Sequence, residues 1–351
     1  MIGDIVPLLT NAKRVVISTH TRPDGDAIGS QLAIGAFLEQ RGTEVWMINS
    51  DPVPYNLEWM QGVDRIRVYD HSLDLVEAIA SADVVIVVDT NAASRLGTPG
   101  NQLKAANGKK VLIDHHTDPE DWFDFSHRRE DASSTGELLY ELMAGWDLSG
   151  ITPAVAEPLY VAIMTDTGSF RYSNVTPVLH RMTADLIERG ELDAAHIHGQ
   201  VYDRKSMEGL RLMSAVLGTM QLHFDGLVGT MVVTRQFLAD SGASVEETDG
   251  FVNLLLSVEG VQVALMFTET AKGTKISFRS KGNWHVHKWA QSLGGGGHRN
   301  ASGAFQHSSL DETVQKAVNT ASRFLDLPES GPGPELSEDD VEYLAMLGEK
   351  N

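Results

Sequence analysis

Four apolar runs rich in β-branched residues occur in the first 116 residues, and segments of helical character separate most of them. The runs are RVVIST (14–19), EVWMIN (44–49), DVVIVVD (83–89) and KVLIDHH (110–116). Strands buried on both faces read as continuous apolar runs, and their alternation with crossover helices is typical of a parallel sheet. We therefore predict an α/β fold with a mostly parallel, doubly wound sheet.

The chain has 351 residues, which is enough for two domains that each bury a core. After about residue 133 the pattern becomes helical, and a polar stretch at 191–208 precedes further strand-like runs and an amphipathic helix from Ser309 to Leu325. These runs are GLVGTMVVT, VQVALMF and TKISFRS. We predict a first domain over 1–190, a helical linker over 191–208, a smaller α/β domain over 209–327 and an acidic, mobile tail over 328–351.

Cysteine is absent, so the sequence excludes disulfide frameworks and thiolate zinc sites. The N-terminal MIGDIVPLLTNAKR lacks a basic region followed by a long apolar core, and no apolar run approaches the roughly 20 residues of a membrane span. We therefore expect a soluble, cytoplasmic protein with no membrane partner, in which histidine and carboxylate side chains hold any metal.

The net charge of −20 argues against a protein that coats nucleic acid with a general basic surface. The charge is unevenly distributed, because residues 270–310 contain no acid and six basic side chains, which leaves −26 for the rest of the chain. So long an acid-free window in so acidic a chain indicates a local site for an anion.

Histidines and aspartates follow the predicted strands at the points where those strands end. In the turn HTRPDGDAIGS (20–30), ordinary turn chemistry explains Pro23 and Gly25 but leaves His20 unexplained. Ligands in open parallel sheets lie beyond the carboxyl ends of the strands, so we expect these side chains to converge there. The set comprises His20, Asp24, Asp26, Asp89, Asp114, His115 and His116, with Asp166 from IMTDTGSF as a further contributor.

Several carboxylates in one crevice repel one another, and divalent cations relieve that repulsion. Carboxylate and imidazole ligands without thiolate suit Mn²⁺ or another borderline divalent ion better than structural zinc. The number of ligands fits two ions better than one, and paired ions are suited to in-line displacement at phosphorus. The sequence therefore predicts phosphoester hydrolysis.

The motifs HTRPDGDAIGS, VVDT, IDHH and DTGSFRY resemble the four ordered motifs of the DHH phosphoesterase superfamily. A fifth element, SLGGGGHRNASG (292–303), resembles the signature of the associated C-terminal substrate domain, DHHA1. Together these elements cover about residues 12 to 306 in the expected order. Within the superfamily, the chain is most similar to the short nanoRNases that also act as 3′-phosphoadenosine-5′-phosphate phosphatases.

The resemblance implies two Mn²⁺ ions, with Mg²⁺ or Co²⁺ as alternatives, and assigns a role to each residue at the strand ends. One ion is held by His20 and Asp24, the other by Asp26, His115 and Asp166, and Asp89 bridges both. Asp114 orients an imidazole, as metal-bound histidines generally require. His116 faces the scissile phosphate as a hydrogen-bond donor or as the acid for the leaving group.

In the second domain, the glycine run at 294–297 has two readings: a flexible linker, or a concave nest of backbone amides that receives a phosphate or nucleotide. The resemblance favours the nest. Arg279 and His298 are the best candidates for charge-assisted contacts to a remote phosphate or terminal group. The predicted substrate-binding residues are Arg279, Ser280, Gly295, Gly296, Gly297 and His298.

The resemblance implies hydrolysis of short RNA or DNA oligonucleotides and linear dinucleotides such as pApA from the 3′ end, and of 3′-phosphoadenosine-5′-phosphate to AMP. Two alternatives stay open: an exonuclease that acts on longer single strands, and a non-catalytic nucleotide sensor. His285 and His287 stand where the family pattern has small acidic or amide residues, so base preference is open, as is homodimer formation. His196 and His198 are expected to face solvent, because i,i+2 positions on a helix diverge.

Overall fold

A six-stranded sheet organises the first part of the computed structural model, which describes residues 2–297 and 299–325. All its strand pairs are parallel, and the order is β3-β2-β1-β4-β5-β6. The strands are β1 (Arg14–Ser18), β2 (Glu44–Asn49), β3 (Ile66–Val68), β4 (Val84–Val88), β5 (Lys109–Asp114) and β6 (Phe125–Arg128). This order places the topological switch point between β1 and β4.

Helices cover both faces of this sheet, as the sequence pattern predicts. They are α1 (Ile2–Asn11), α2 (Gly25–Glu39), α3 (Leu73–Ala80), α4 (Gly100–Ala105), α5 (Thr135–Asp147), α6 (Pro153–Asp166), α7 (Pro177–Gly190) and α8 (Ala194–Tyr202). Successive side chains of β4 enter different cores: Ile86 packs with α2, α5 and α6, and Val87 packs with α3 and α4. The predicted doubly wound α/β class is confirmed.

The chain divides into two compact units, with the boundary after Arg204. The second unit holds a mixed sheet in the order β11-β12-β10-β9-β8-β7, in which only the β8–β9 pair is parallel. Its strands are β7 (Gln221–His223), β8 (Val228–Val233), β9 (Val263–Thr270), β10 (Gly273–Ser280), β11 (Gly296–Gly297) and β12 (Ala301–Gln306). Its helices are α9 (Met207–Leu217), α10 (Arg235–Ser241), α11 (Phe251–Leu255), α12 (His287–Ser292) and α13 (Leu310–Thr320).

Some boundaries differ from those predicted. The Ser309/Glu312 capping box is present, but α13 ends at Thr320 and a 3₁₀ turn over Ala321–Arg323 follows it. The edge strands β3 and β6 are short and half-exposed, so they carry no continuous apolar run. His298 and the acidic tail at 328–351 lie outside the described residues. Within the described ranges, no helix is both long enough and apolar enough to cross a lipid bilayer.

Candidate metal centre

The candidate centre lies at the carboxyl edge of the parallel sheet. His20 follows β1 closely and Asp89 follows β4 directly, so the two residues flank the topological switch point. Asp114 is the last residue of β5, and His115 and His116 come directly after it. Asp89 has a φ of 57°, a left-handed conformation that aspartate tolerates better than most residues, and this turns the chain at the end of the strand.

Two helices bring further carboxylates to this edge. Asp24 caps α2 by accepting a hydrogen bond from the Ala27 N–H at 3.1 Å, and Asp26 lies in the first turn of that helix. Asp166 is the last residue of α6, which packs closely along α2. That close approach requires Gly29, because a Cβ atom at this position would overlap the carbonyl oxygen of Pro158.

The predicted ligands form three groups, each with ligand atoms that lie within 4.8 Å of one another. The groups are His20, Asp24 and Asp89; Asp26, His115 and Asp166; and Asp89, His115 and His116. The Nε2 atom of His20 lies 3.3 Å from Asp89 Oδ2, and the Nε2 atom of His115 lies 3.6 Å from Asp89 Oδ1. The two oxygens of this one carboxylate therefore face different histidines.

Backbone carbonyl groups fix the orientation of two imidazole rings. The Nδ1 atom of His20 donates to the Thr21 carbonyl oxygen at 2.9 Å, and the Nδ1 atom of His115 donates to the Ala132 carbonyl oxygen at 3.2 Å. With the Nδ1 protons used in this way, each Nε2 atom faces the carboxylates. Metal-binding histidines are generally held by this kind of second hydrogen bond.

Burial and mutual repulsion act on the carboxylates of the second group. Burial raises the pKa of Asp26 well above its usual range, and the negative charges of Asp89 and Asp166 raise it further. Burial likewise raises the pKa of Asp166 to about 6. The attraction of His115 lowers this pKa, and repulsion by Asp89 and Asp24 offsets part of that lowering. Without added positive charge, the crevice therefore favours protonation of these two acids.

The pKa values of Asp89 and His20 shift in the direction that favours their charged forms, in contrast to those of Asp26 and Asp166. Burial alone would raise the pKa of Asp89, but hydrogen bonds from His115 and His20 bring it well below its usual range. Burial would lower the pKa of His20, and its hydrogen bonds to Asp24 and Asp89 raise it well above the ordinary value instead. Buried carboxylates that need positive charge, with imidazole nitrogens aimed at them, are a donor set that fits a divalent cation.

Asp114 and His116 form a separate pair beside this centre. The Nδ1 atom of His116 donates to Asp114 Oδ1 at 2.7 Å, so the imidazole that Asp114 orients is that of His116 and not that of His115. Asp114 is fully buried, and its Oδ2 atom has no hydrogen-bond donor among the described residues. Arg128 donates to the carbonyl oxygen of His116 at 2.7 Å and thereby fixes the backbone of this turn.

The residues that hold Asp26 are not among those predicted from the sequence. The backbone N–H groups of Thr135 and Gly136, at the beginning of α5, donate to the Asp26 carboxylate at 2.7 and 3.0 Å. The Ser30 hydroxyl donates to the same carboxylate at 3.1 Å. A sequence signal for this helix beginning exists, because SSTGE has the S-x-x-E pattern of a capped N-terminus, where backbone N–H groups favour an anion.

In the second unit, Arg279 and Ser280 end β10. Arg279 is half-buried and pairs across the sheet with Ala301, and its Nη1 atom donates to the Phe278 carbonyl oxygen at 2.9 Å. The Ser280 hydroxyl accepts a hydrogen bond from Asn300 at 2.9 Å. Asn300, which the sequence analysis did not select, also donates to the Gly282 carbonyl oxygen at 2.9 Å and so fixes the segment that leaves β10.

The second half of the glycine run is part of the sheet, and its first half is fixed by a turn, so the run is not a loose linker. Gly296 and Gly297 form β11, which pairs with Gly303 and Ser302 of β12. The N–H of Gly295 donates to the Ala290 carbonyl oxygen at 2.9 Å, and a Cβ atom at Gly295 would overlap the carbonyl oxygen of Gly303. The Gly295 amide is therefore already used within the unit and is not an open donor of a nest.

Two family models match the chain: the DHH family N-terminal domain over residues 14–163 and the DHHA1 domain over residues 228–326. The bifunctional oligoribonuclease and PAP phosphatase NrnA of Thermus thermophilus is 32% identical over 312 residues, which cover 87% of this chain and 88% of that protein. The protein of the same name from Bacillus subtilis is 26% identical over 301 residues, which cover 84% and 90%.

A solved structure extends the likeness to the fold. The crystal structure of an exopolyphosphatase-related protein from Bacteroides fragilis matches with a TM-score of 0.87 at 31% identity, covering 92% of this chain and 97% of that one. The family resemblance drawn from the sequence motifs is thus confirmed. The chain belongs to the DHH family and combines a DHH domain with a DHHA1 domain.

Proposed function

We propose that this protein is a metal-dependent phosphoesterase that hydrolyses short oligonucleotides and linear dinucleotides from the 3′ end to mononucleotides. 3′-Phosphoadenosine-5′-phosphate is its second substrate, which it converts to AMP. The names of the Thermus and Bacillus relatives, oligoribonuclease and PAP phosphatase, support both activities. The motifs at the strand ends support the same reaction class.

The observation that carries this proposal is the position of Asp89 between His20 and His115. Its two oxygens face the two imidazoles at 3.3 and 3.6 Å. These histidines belong to two different groups of ligand atoms, one completed by Asp24 and the other by Asp26 and Asp166. A carboxylate shared in this way is suited to bridge two cations, and we assign one ion to each group.

Two Mn²⁺ ions fit these imidazole and carboxylate donors. Bound there, the pair would supply Lewis acidity, which lowers the pKa of a coordinated water and neutralises charge on the phosphoryl oxygens. The protein's own contribution is to hold the donors rigidly: Thr135, Gly136 and Ser30 fix Asp26. Ala132 and Thr21 fix the two histidine rings through their carbonyl groups.

His116 is the residue we assign to the leaving group. The hydrogen bond from its Nδ1 to the buried Asp114 carboxylate fixes the orientation of the ring. Its Nε2 atom is then left for the substrate, and we assign it as the acid for the oxygen that leaves phosphorus or as a hydrogen-bond donor to a phosphoryl oxygen. Asp114 acts through this ring and has no contact with substrate of its own.

Preference for short substrates follows from the distribution of charge. Six basic residues lie in the acid-free window at 270–310, and the rest of the chain carries −26. A short nucleotide needs only a confined cationic patch, which Arg279 and its neighbours supply. A long strand would have to cross a surface of its own charge sign, and this costs binding energy.

The test is a series of 5′-phosphorylated RNAs from the dinucleotide to about two dozen nucleotides, since tracking proteins cover many nucleotides per site. 3′-Phosphoadenosine-5′-phosphate is assayed alongside, with Mn²⁺, Mg²⁺ and Co²⁺ compared in parallel. We expect the highest kcat/KM for the shortest RNAs and mononucleotides as the final product.

A kcat/KM that rises steadily with length would reject this proposal in favour of an exonuclease that acts on long single strands. Binding of nucleotides without turnover under any of the three metals would instead support a nucleotide sensor.

A further inference from the structure

A cavity of about 290 Å³ lies in the first unit and is lined by Ser169, Arg171, His198 and Tyr202. None of these residues belongs to the groups of candidate metal ligands. The volume is at the lower limit for small-molecule pockets, which suits a nucleoside or mononucleotide better than an extended strand. Ser169 is three residues beyond Asp166, so the cavity begins within about 11 Å of the Asp166 Cα atom along the chain.

The residues of the cavity combine aromatic rings with a cation. His198 and Tyr202 are four residues apart on α8 and therefore share one face, with ring centroids 4.9 Å apart. The His198 side chain lines this cavity and is 42% exposed, and its Nδ1 atom lies 3.6 Å from Asp203 Oδ2. Its neighbour His196 is exposed on another face of α8, beside Trp59.

Arg171 forms no ion pair with an acid of the described residues, although the chain is strongly acidic. Its Nε atom donates to the Gly168 carbonyl oxygen at 2.8 Å, which fixes the guanidinium at the rim. Within residues 2–297 and 299–325, no carboxylate oxygen lies within 4.0 Å of this guanidinium. The terminal nitrogens of Arg171 are thus directed to no acid of the described chain, and a guanidinium is well suited to phosphate oxygens.

The loop that carries Arg171 is held in an uncommon conformation. Gly168, Ser169 and Phe170 have φ values of 56°, 59° and 63°, so three successive residues are left-handed. This conformation is unfavourable for an aromatic residue such as Phe170 and persists only where the surroundings impose it. Here the Thr167 hydroxyl accepts from the Phe170 N–H at 3.2 Å, and the Ser169 N–H donates to the Met164 carbonyl oxygen at 2.8 Å.

We propose that this cavity binds the nucleoside attached to the scissile phosphate, with the base against the rings of His198 and Tyr202 and Arg171 on a sugar-phosphate oxygen. The inference rests on the proposed function, because the metal centre must hold the phosphate. It gives the first unit a binding site for the nucleoside, formed by residues beyond the segment that the DHH family model matches. Stacking on rings tolerates any base, so this contact favours nucleotides over other phosphodiesters without selecting a sequence.

The test compares His198→Ala and Arg171→Ala with the wild type on pApA and on bis(p-nitrophenyl) phosphate, which has no nucleoside. We expect kcat/KM for pApA to fall about tenfold or more, and at least tenfold further than for the generic diester. His196→Ala and Arg181→Ala are the matched controls, since both side chains are exposed and neither lines the cavity. Equal losses on the two substrates would overturn the proposal.

Binding of AMP by titration calorimetry in the presence of Mn²⁺ separates this proposal from the proposed function. If the wild type hydrolyses neither substrate but binds AMP, and His198→Ala and Arg171→Ala weaken that binding about tenfold, the proposed function fails and the cavity assignment stands. Unchanged AMP binding in both variants overturns the cavity assignment. Arg171→Lys, which keeps the charge but not the planar fork, provides a second variant if Arg171→Ala does not fold.

Discussion

The hydroxyl of Thr135 donates a hydrogen bond to Asp89 Oδ1 at 3.2 Å. The backbone N–H of the same residue donates to Asp26 Oδ2 at 2.7 Å, and Thr135 is fully buried. One residue at the beginning of α5 therefore fixes a carboxylate of each of the two ligand groups. Outer hydrogen bonds of this kind generally hold metal ligands in place, so Thr135 is a positioning residue for both proposed ions.

We predict that Thr135→Val weakens Mn²⁺ binding by about 10- to 100-fold, because the variant loses the hydroxyl while the backbone donor to Asp26 remains. Isothermal titration with Mn²⁺ measures the loss. Thr135→Ser keeps the hydroxyl and should restore binding to within a few-fold. If the Val variant binds Mn²⁺ as the wild type does, Thr135 has only a packing role.

Asp89→Ala is predicted to abolish hydrolysis and to leave the fold intact. Removal of a shared carboxylate disturbs both proposed metal positions at once, so the loss should exceed the 10- to 100-fold typical of an outer hydrogen-bond partner. Steady-state assays with saturating Mn²⁺ measure the effect, and far-UV circular dichroism checks the fold. Substantial activity in this variant would contradict the dinuclear proposal.

The position of the centre could be predicted from the sequence because parallel strands bring their carboxyl ends to one edge. His20, Asp89 and His115 each follow an apolar run, and no long-range information is needed to place them together. The hydrogen-bond partner of Asp114 could be identified only from the structure. Both His115 and His116 are near it in sequence, and only the backbone geometry after β5 directs the ring of His116 to it.

Other features depend on contacts between distant segments. Thr135 lies 109 residues after Asp26, and a local pattern shows the helix beginning without showing what it faces. The glycine run is compatible with a linker or a nest when it is read alone. Its pairing with β12 depends on the close approach that Gly295 permits, which only the folded unit reveals.

Arg279→Ala is predicted to raise KM for pApA by about 10- to 100-fold, because a charge-assisted hydrogen bond contributes about 1.5–3 kcal/mol. The loss on bis(p-nitrophenyl) phosphate should be smaller, since that diester has no remote phosphate for Arg279 to bind. Lys272→Ala is the matched control, because Lys272 is an exposed cation of the same acid-free window. Equal losses on both substrates would show that Arg279 serves folding or chemistry instead of remote binding.

Binding of Mn²⁺ should depend steeply on pH. The pKa values of His20 and His115 are raised by their carboxylate partners, and burial raises that of Asp26 and raises that of Asp166 to about 6. Each of these groups must lose its proton before it can bind a cation, so protons compete with the metal. Every proton displaced changes the apparent affinity by roughly tenfold per pH unit, and the affinity must rise as pH rises.

The same raised pKa values determine whether the stability of the metal-free protein rises or falls with pH. An acid with a higher pKa in the folded than in the unfolded state stabilises the fold at low pH, and this contribution is lost as pH rises through the folded value, about 6 for Asp166. The metal-free protein should therefore lose stability as Asp26 and Asp166 ionise, and Mn²⁺ should restore it. We expect the increase in Tm on Mn²⁺ addition to grow between about pH 5.5 and 8, and an increase that is constant over this range would contradict the proposed ligand set.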